Sequence, residues 1–208
     1  MDKNLVVIKA IIEADYQRHI KRFDVSFETG DILFLGDSVM AYAPLKKMNL
    51  SHLINQGIPG DTTSGVLNRL SYVYKAKPKV VFLHIGSNDL VLTSFSKNEI
   101  IENIQKIILE LKNSGIIVYL LSITPILPNH QKTNQTFVKK RSNEEIDGLN
   151  EELKTLRGVY EYIDVNSALK DDQNQLHEQF TTDGVHLNQR GYDIFFRTIK
   201  QHLDIQVI

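Results

Sequence analysis

The chain is expected to be α/β, folding as one three-layer α/β/α sandwich around a central parallel five-stranded sheet. Three observations predict this. Short continuous apolar runs alternate with stretches of helical periodicity. Three of those runs exit directly into Gly, Ser or Asn. And 208 residues fit one core, with no internal repeat, low-complexity stretch or interdomain linker, so residues 1–208 read as a single domain.

The elements follow in order. Leu5, Ile8, Ile12 and Tyr16 recur at helical spacing, so residues 1–23 form an amphipathic helix packing on the core and ending near Phe23. Gly30-Asp31 opens the first strand, Ile32 to Leu35, and Leu53-Ile54 is a second short apolar run. Val66, Leu70, Val73 and Tyr74 mark one helix, closed by Pro78. Val80 to Ile85 is the next strand. Ser96 and Glu99 form a capping box ahead of Ile100, Ile104, Ile107, Ile108 and Leu111, and Gly115 ends that helix. Ile116 to Leu121 is the fourth strand. Ser142 and Glu145 repeat the capping box before Ile146, Leu149, Leu153 and Leu156. Val159 to Val165 is the last strand, and Tyr192, Phe195, Phe196, Ile199 and Leu203 make a closing helix. The least patterned segment, Thr124 to Lys140, is a polar connection holding Pro125 and Pro128; long loops of this kind border sites and shape their rims.

Composition excludes several classes. Net charge is −1, from 24 basic and 25 acidic residues, and no basic run appears, so no nucleic-acid partner is expected. The chain has no cysteine, which removes disulfides, thiolate metal sites and a Cys nucleophile, and suits a reducing compartment. The apolar run near the N-terminus is broken by Lys9 and Glu13, so neither a signal peptide nor a membrane span is expected. The default expectation is a cytoplasmic enzyme acting on a small molecule.

The chemistry concentrates in four blocks. Phe34-Leu35-Gly36-Asp37-Ser38-Val39 is a strand running into a Gly-Asp-Ser turn, and Asp183-Gly184-Val185-His186 lies near the far end. A serine at a strand exit and an Asp-x-x-His pair are the parts of a hydrolytic triad. Between them lie Asn55-Gln56-Gly57-Ile58-Pro59-Gly60-Asp61 and Gly86-Ser87-Asn88-Asp89. Ligand sites of open parallel sheets lie outside the carboxyl ends of the strands, where such exits converge. Bland readings compete: Ser38 as a helix N-cap, Asp183 as a surface carboxylate, Asn88 as an Asx-turn residue and Gly57 or Gly60 as turn glycines. An Asp/His pair could also ligate a metal, but no third ligand with recognisable spacing accompanies it, so no metal or cofactor is expected.

In this order the four blocks resemble the SGNH hydrolases, also called GDSL esterases and lipases, and within them small bacterial proteins described as platelet-activating-factor acetylhydrolase-like. The likeness runs from about Asp31 to the final helix, with Val39 standing where the eponymous motif has Leu. It implies a flavodoxin-like sheet and an esterase acting on short-chain acyl or acetyl esters. It also implies Ser38 as nucleophile, His186 as base and Asp183 as its orienting partner. The oxyanion donors it implies are the backbone N–H of Ser38, the backbone N–H of Gly60 and the side-chain amide of Asn88. Asp37, Asp61 and Asp89 read as scaffold groups, and His84, inside a strand, as a hydrogen-bonded buried histidine. Ser87 is a rival nucleophile, although no Gly-x-Ser-x-Gly elbow surrounds it or Ser38. Met40, Tyr42, Leu90 and Val185 flank the blocks and are candidates to line an apolar acyl slot; the core is their alternative. A non-catalytic module holding phosphate at Gly60-Asp61-Thr62-Thr63 is the competing functional class.

Overall fold

The computed structural model describes residues 3–25, 28–138, 140–156 and 160–203. The long first helix α1 (Lys3–Val25) precedes β1 (Ile32–Gly36), α2 (Ser38–Ala41), β2 (Leu53–Gly57), α3 (Thr63–Asn68) and α4 (Leu70–Ala76). Next come β3 (Val80–His84), α5 (Asp89–Leu92), α6 (Lys97–Asn113), β4 (Ile117–Leu121) and α7 (Gln135–Val138). The chain continues through α8 (Asn143–Thr155), β5 (Glu161–Ile163), α9 (Val165–Leu169) and α10 (Gln189–Lys200). The five strands form one parallel sheet in the order β2-β1-β3-β4-β5. The expected doubly covered parallel sheet is therefore what forms.

Alternation along the strands sorts the apolar residues between two layers. Leu33, Leu35, Val81, Leu83, Val118 and Leu120 pack with apolar residues of α4, α6 and α8. Ile32, Phe34, Val80, Phe82, Tyr119 and Leu121 pack on the other face with Tyr192, Phe195, Phe196 and Ile199 of α10. Both predicted capping boxes are present: Ser96 with Glu99 opens α6, and Ser142 with Glu145 opens α8.

The sequence expectations shift at a few places, each for a local reason. The second run extends beyond Leu53-Ile54 into polar Asn55-Gln56-Gly57, because Asn55 Nδ2 donates to the Met40 carbonyl at 2.8 Å and its Oδ1 accepts from Gly57 N–H. The single helix expected around Val66 to Tyr74 is two, α3 and α4, broken at Arg69. The last strand covers Glu161–Ile163, Val165 already begins α9, and Val159 lies outside the described residues. No helix among the described residues is long and apolar enough to cross a membrane.

Register places the site. Gly36 ends β1 level with Gly57 of β2 and His84 of β3. The chain leaving each of these strands therefore departs from one edge, at the point where the strand order reverses, and crevices form there.

Candidate active site

Ser38 is the first residue of α2, directly after β1. The N-cap is Asp37, whose carboxylate accepts from Val39 N–H at 2.9 Å. The capping alternative for Ser38 is thus taken by its neighbour, which leaves the serine hydroxyl to face elsewhere. Asp37 Oδ1 also lies 3.2 Å from His84 Nδ1. Thr124 N–H donates to His84 Nε2 at 3.2 Å, so Nε2 carries the lone pair and Nδ1 carries the proton that goes to Asp37. His84 is fully buried and spoken for on both nitrogens, as a scaffold histidine would be.

The Asp-x-x-His block is a tight turn before α10. Thr181 Oγ1 accepts from Gly184 N–H at 2.8 Å and donates to the His186 carbonyl at 2.8 Å. The connection after β4 clamps the same turn: Thr133 Oγ1 donates to the Asp183 carbonyl at 2.8 Å and Leu127 N–H donates to the Gly184 carbonyl at 2.7 Å. Asp183 Oδ1 accepts from the backbone N–H groups of Val185 and His186, and Oδ2 lies 2.7 Å from His186 Nδ1. Burial pushes this carboxyl up, but the His186 ring and the two backbone donors outweigh it and hold it at about 2. A carboxylate can only accept, so Nδ1 bears the proton and the Nε2 lone pair points away from Asp183. That lone pair meets Ser38 Oγ at 3.0 Å, across 148 positions of sequence. The ring of Tyr42 stands edge-on to the His186 ring at 5.4 Å. Burial first, then the Asp15 and Asp183 carboxylates, push the Tyr42 phenol up.

The other two blocks meet at the same crevice. Ile58-Pro59-Gly60-Asp61 is a turn closed by Asp61 N–H to the Ile58 carbonyl, with Pro59 second and Gly60 third at φ +80°. A left-handed third residue is what such a turn asks of glycine. A Cβ at Gly60 would also lie 2.5 Å from Ile12 Cγ2 of α1. Asn88 Nδ2 donates to the Asp61 carbonyl at 2.9 Å, tying the third block to the second. Below them Arg69 Nε donates to Asp61 Oδ2 at 2.8 Å, with both side chains 1% exposed. Asp89 accepts from Thr63 N–H and, at 2.6 Å, from Thr63 Oγ1. Asp61 and Asp89 therefore hold loops, as expected.

Ser38, Gly60, Asn88 and His186 line one cavity of about 250 Å³. Asp183 stands behind His186. Tyr42 and Val185 are in the wall of this cavity. Met40 and Leu90 are not. Met40 is fully buried in the apolar layer under α10, because two residues along a helical turn from Ser38 it points to the opposite side. Leu90 packs against the other layer. Ser87 Oγ accepts from Arg141 Nη1 at 2.6 Å.

Two groups of wall residues carried no sequence signal. Ile11, Ile12, Asp15 and Arg18 come from α1, which was expected only to pack on the core. Arg141, directly after Lys139 and Lys140 in the sequence, was assigned no role, and it is 5% exposed at the cavity wall beside Thr124 and Ile126. Among the described residues no group of three or more His, Cys, Asp or Glu is placed to hold a metal ion.

Comparison with known proteins gives four results. Residues 34–194 match the family model for the GDSL-like lipase/acylhydrolase family. A solved structure from Streptococcus pneumonia, provisionally described as a platelet activating factor, shares 26% identity, covering 98% of this chain and 100% of its own, with a TM-score of 0.80. A GDSL-like lipase from Bacteroides thetaiotaomicron VPI-5482 shares 22% identity over 90% of this chain and 96% of its own, with a TM-score of 0.76. A curated N-acylneuraminate cytidylyltransferase from Escherichia coli O18:K1:H7 is 27% identical over 180 residues, and the chain spans 40% of that protein's length.

Proposed function

The chain belongs to the GDSL-like lipase/acylhydrolase family, and from that premise we propose that it is a serine esterase that hydrolyses small carboxylic esters through an acyl-Ser38 intermediate. The observation that carries this reading is the hydrogen-bonded line from Asp183 through His186 to Ser38.

In the first half-reaction His186 Nε2 takes the Ser38 proton as Oγ attacks the ester carbonyl carbon. The carbonyl π electrons move to oxygen, and the oxyanion is held by the N–H groups of Ser38 and Gly60 and by the remaining Asn88 amide hydrogen. Preorganised donors of this kind stabilise charge where it develops. The tetrahedral intermediate collapses, the C–O bond to the alcohol breaks, and His186 returns the proton to the departing oxygen. Water then repeats the sequence on the acyl ester and frees Ser38. Asp183 stays ionised throughout, fixing the imidazole tautomer and stabilising the imidazolium.

A cavity of about 250 Å³, walled on one side by α1, supports short acyl groups over long chains. The curated relative acts, by its name, on an N-acylneuraminate. Acylated sugars therefore join short aryl esters in the panel of candidate substrates.

The test is a fluorophosphonate label and turnover of 4-nitrophenyl acetate. Wild-type protein should be labelled once, at Ser38, and should release nitrophenol. Ser38→Ala and His186→Ala should do neither at a measurable rate. Equal hydrolysis by wild type and Ser38→Ala removes the reading.

A further inference from the structure

Ile12 of α1 has no part in the steps above, yet it lies in the same cavity wall as Ser38, Asn88 and His186. A Cβ built on Gly60 would meet Ile12 Cγ2 at 2.5 Å, Cγ1 at 3.0 Å and Cδ1 at 3.2 Å. The branched end of Ile12 thus packs directly against the glycine whose N–H is a proposed oxyanion donor. Ile12 and Gly60 also line a second cavity, of about 490 Å³, which runs past Thr62, Ser64 and Leu92. Among the described residues these two alone belong to the walls of both cavities. Glycine adds no side chain to that shared boundary, so its side-chain material is the branched carbons of Ile12.

The helix holds Ile12 in place from both directions. Leu5 and Phe23 are buried, and Tyr16, one turn after Ile12, donates its hydroxyl to the Gly65 carbonyl at 3.2 Å. The ring of Tyr42, in the wall of the catalytic cavity, flanks His186 at 5.4 Å. His186 must hand its proton to the departing oxygen, so the alcohol leaves on the side of those two rings. The acyl substituent occupies another corner of the tetrahedral carbon, and the apolar surface offered beside Gly60 is that of Ile12.

Resting on the esterase reading above, we propose that Ile12 is a specificity-determining residue: its side chain ends the acyl slot and closes it off from the second cavity, so that esters of acids from acetic to butyric are accepted and longer acyl chains are refused. Trimming Ile12 to alanine deletes Cγ1, Cγ2 and Cδ1 and opens the slot toward the second cavity. An acyl chain longer by about three methylenes then fits, and each newly buried methylene improves kcat/KM about fourfold.

The test compares kcat/KM for 4-nitrophenyl acetate, butyrate, hexanoate and octanoate. For wild-type protein it should fall beyond butyrate. In Ile12→Ala the hexanoate-to-acetate ratio should rise by about tenfold or more. Ile12→Val, a milder trim that keeps the test decisive if Ile12→Ala does not fold, should raise it by less. A structural role alone, through a loosened Gly60, would slow all four esters together and leave the ratio intact, and that result overturns the proposal. So does a wild-type protein that hydrolyses the octanoate as well as the acetate. Hexyl acetate against ethyl acetate tests the other side of the ester: a ratio that rises there, and not in the acyl series, puts the alcohol against Ile12 and overturns the proposal too. Calorimetric titration with hexanoate separates this from failure of the esterase reading. Binding about tenfold tighter to Ile12→Ala than to wild type supports the slot even if no ester is turned over. Equal hexanoate affinity, with an unmoved ester ratio or with no turnover at all, removes it.

Discussion

The buried pair Arg69–Asp61 makes the sharpest energetic prediction. Both side chains are 1% exposed and meet at 2.8 Å, and Arg69 Nη2 also donates to the Gly36 carbonyl at 3.2 Å. Arg69 Nη1 has no hydrogen-bond partner among the described residues, so the pair is not fully compensated. Burial pushes the Asp61 carboxyl up against the pull of the guanidinium and of Thr62 N–H. Removing one partner strands the other charge in the interior, which costs about 3–5 kcal/mol. Asp61→Leu and Arg69→Met should each lose that much. For a chain of this size, 1 kcal/mol moves Tm by about 2–4 °C, so each single variant should melt roughly 6–20 °C below wild type. The double variant removes both desolvation penalties and should be more stable than either single one. Thermal and urea unfolding of the four proteins closes the cycle. If the double variant loses the sum of the two single losses, the two charges are not coupled and the reasoning fails.

Three further outcomes follow. Asn88→Ala should lower kcat for 4-nitrophenyl acetate by about 10²–10³, as loss of one oxyanion donor does, and should also cost about 1–3 kcal/mol of stability because it unpairs the buried Asp61 carbonyl; a variant as fast as wild type would remove Asn88 from the oxyanion site. Burial, opposed by the Thr63 hydrogen bonds, pushes Asp89 up to about 6. Its folded-state value exceeds the unfolded one, so the stability it contributes is present below about pH 4 and is lost as pH rises through about 6, at most about 3 kcal/mol in all. Urea unfolding from pH 4 to 7 should therefore be flatter for Asp89→Asn, and identical slopes would contradict this. Gly60→Ala forces a left-handed alanine, costing about 1–2 kcal/mol before the encounter with Ile12 is counted. It should lower both Tm and esterase activity, and a neutral result in both would mean that neither Gly60 nor α1 is held as described.

The site was legible where its chemistry is local. Gly36-Asp37-Ser38 and Asp183-Gly184-Val185-His186 each set their own backbone geometry through their own side chains, so short motifs carry them. Convergence of the strand exits followed from sheet topology. What escaped depends on contacts between distant segments. Asn55 belongs to a strand because of the Met40 carbonyl, and the break at Arg69 accompanies a side chain that reaches Asp61 and Gly36. Arg141 is ordinary until Ser87 is brought to it from 54 positions away. Met40 and Leu90 went the other way, since proximity in sequence to the motif says nothing about which side of a helical turn they occupy.

The helix α1 precedes the region that the family shares, which begins at residue 34, yet it supplies Ile11, Ile12, Asp15 and Arg18 to the cavity. It is attached through side chains such as Leu5, Phe23 and Tyr16, whose hydroxyl donates to the Gly65 carbonyl. The residues proposed to react and part of the wall facing them therefore come from different stretches of the polypeptide. Substitutions along this leading segment change part of the cavity's lining without altering Ser38, Asp183 or His186 themselves.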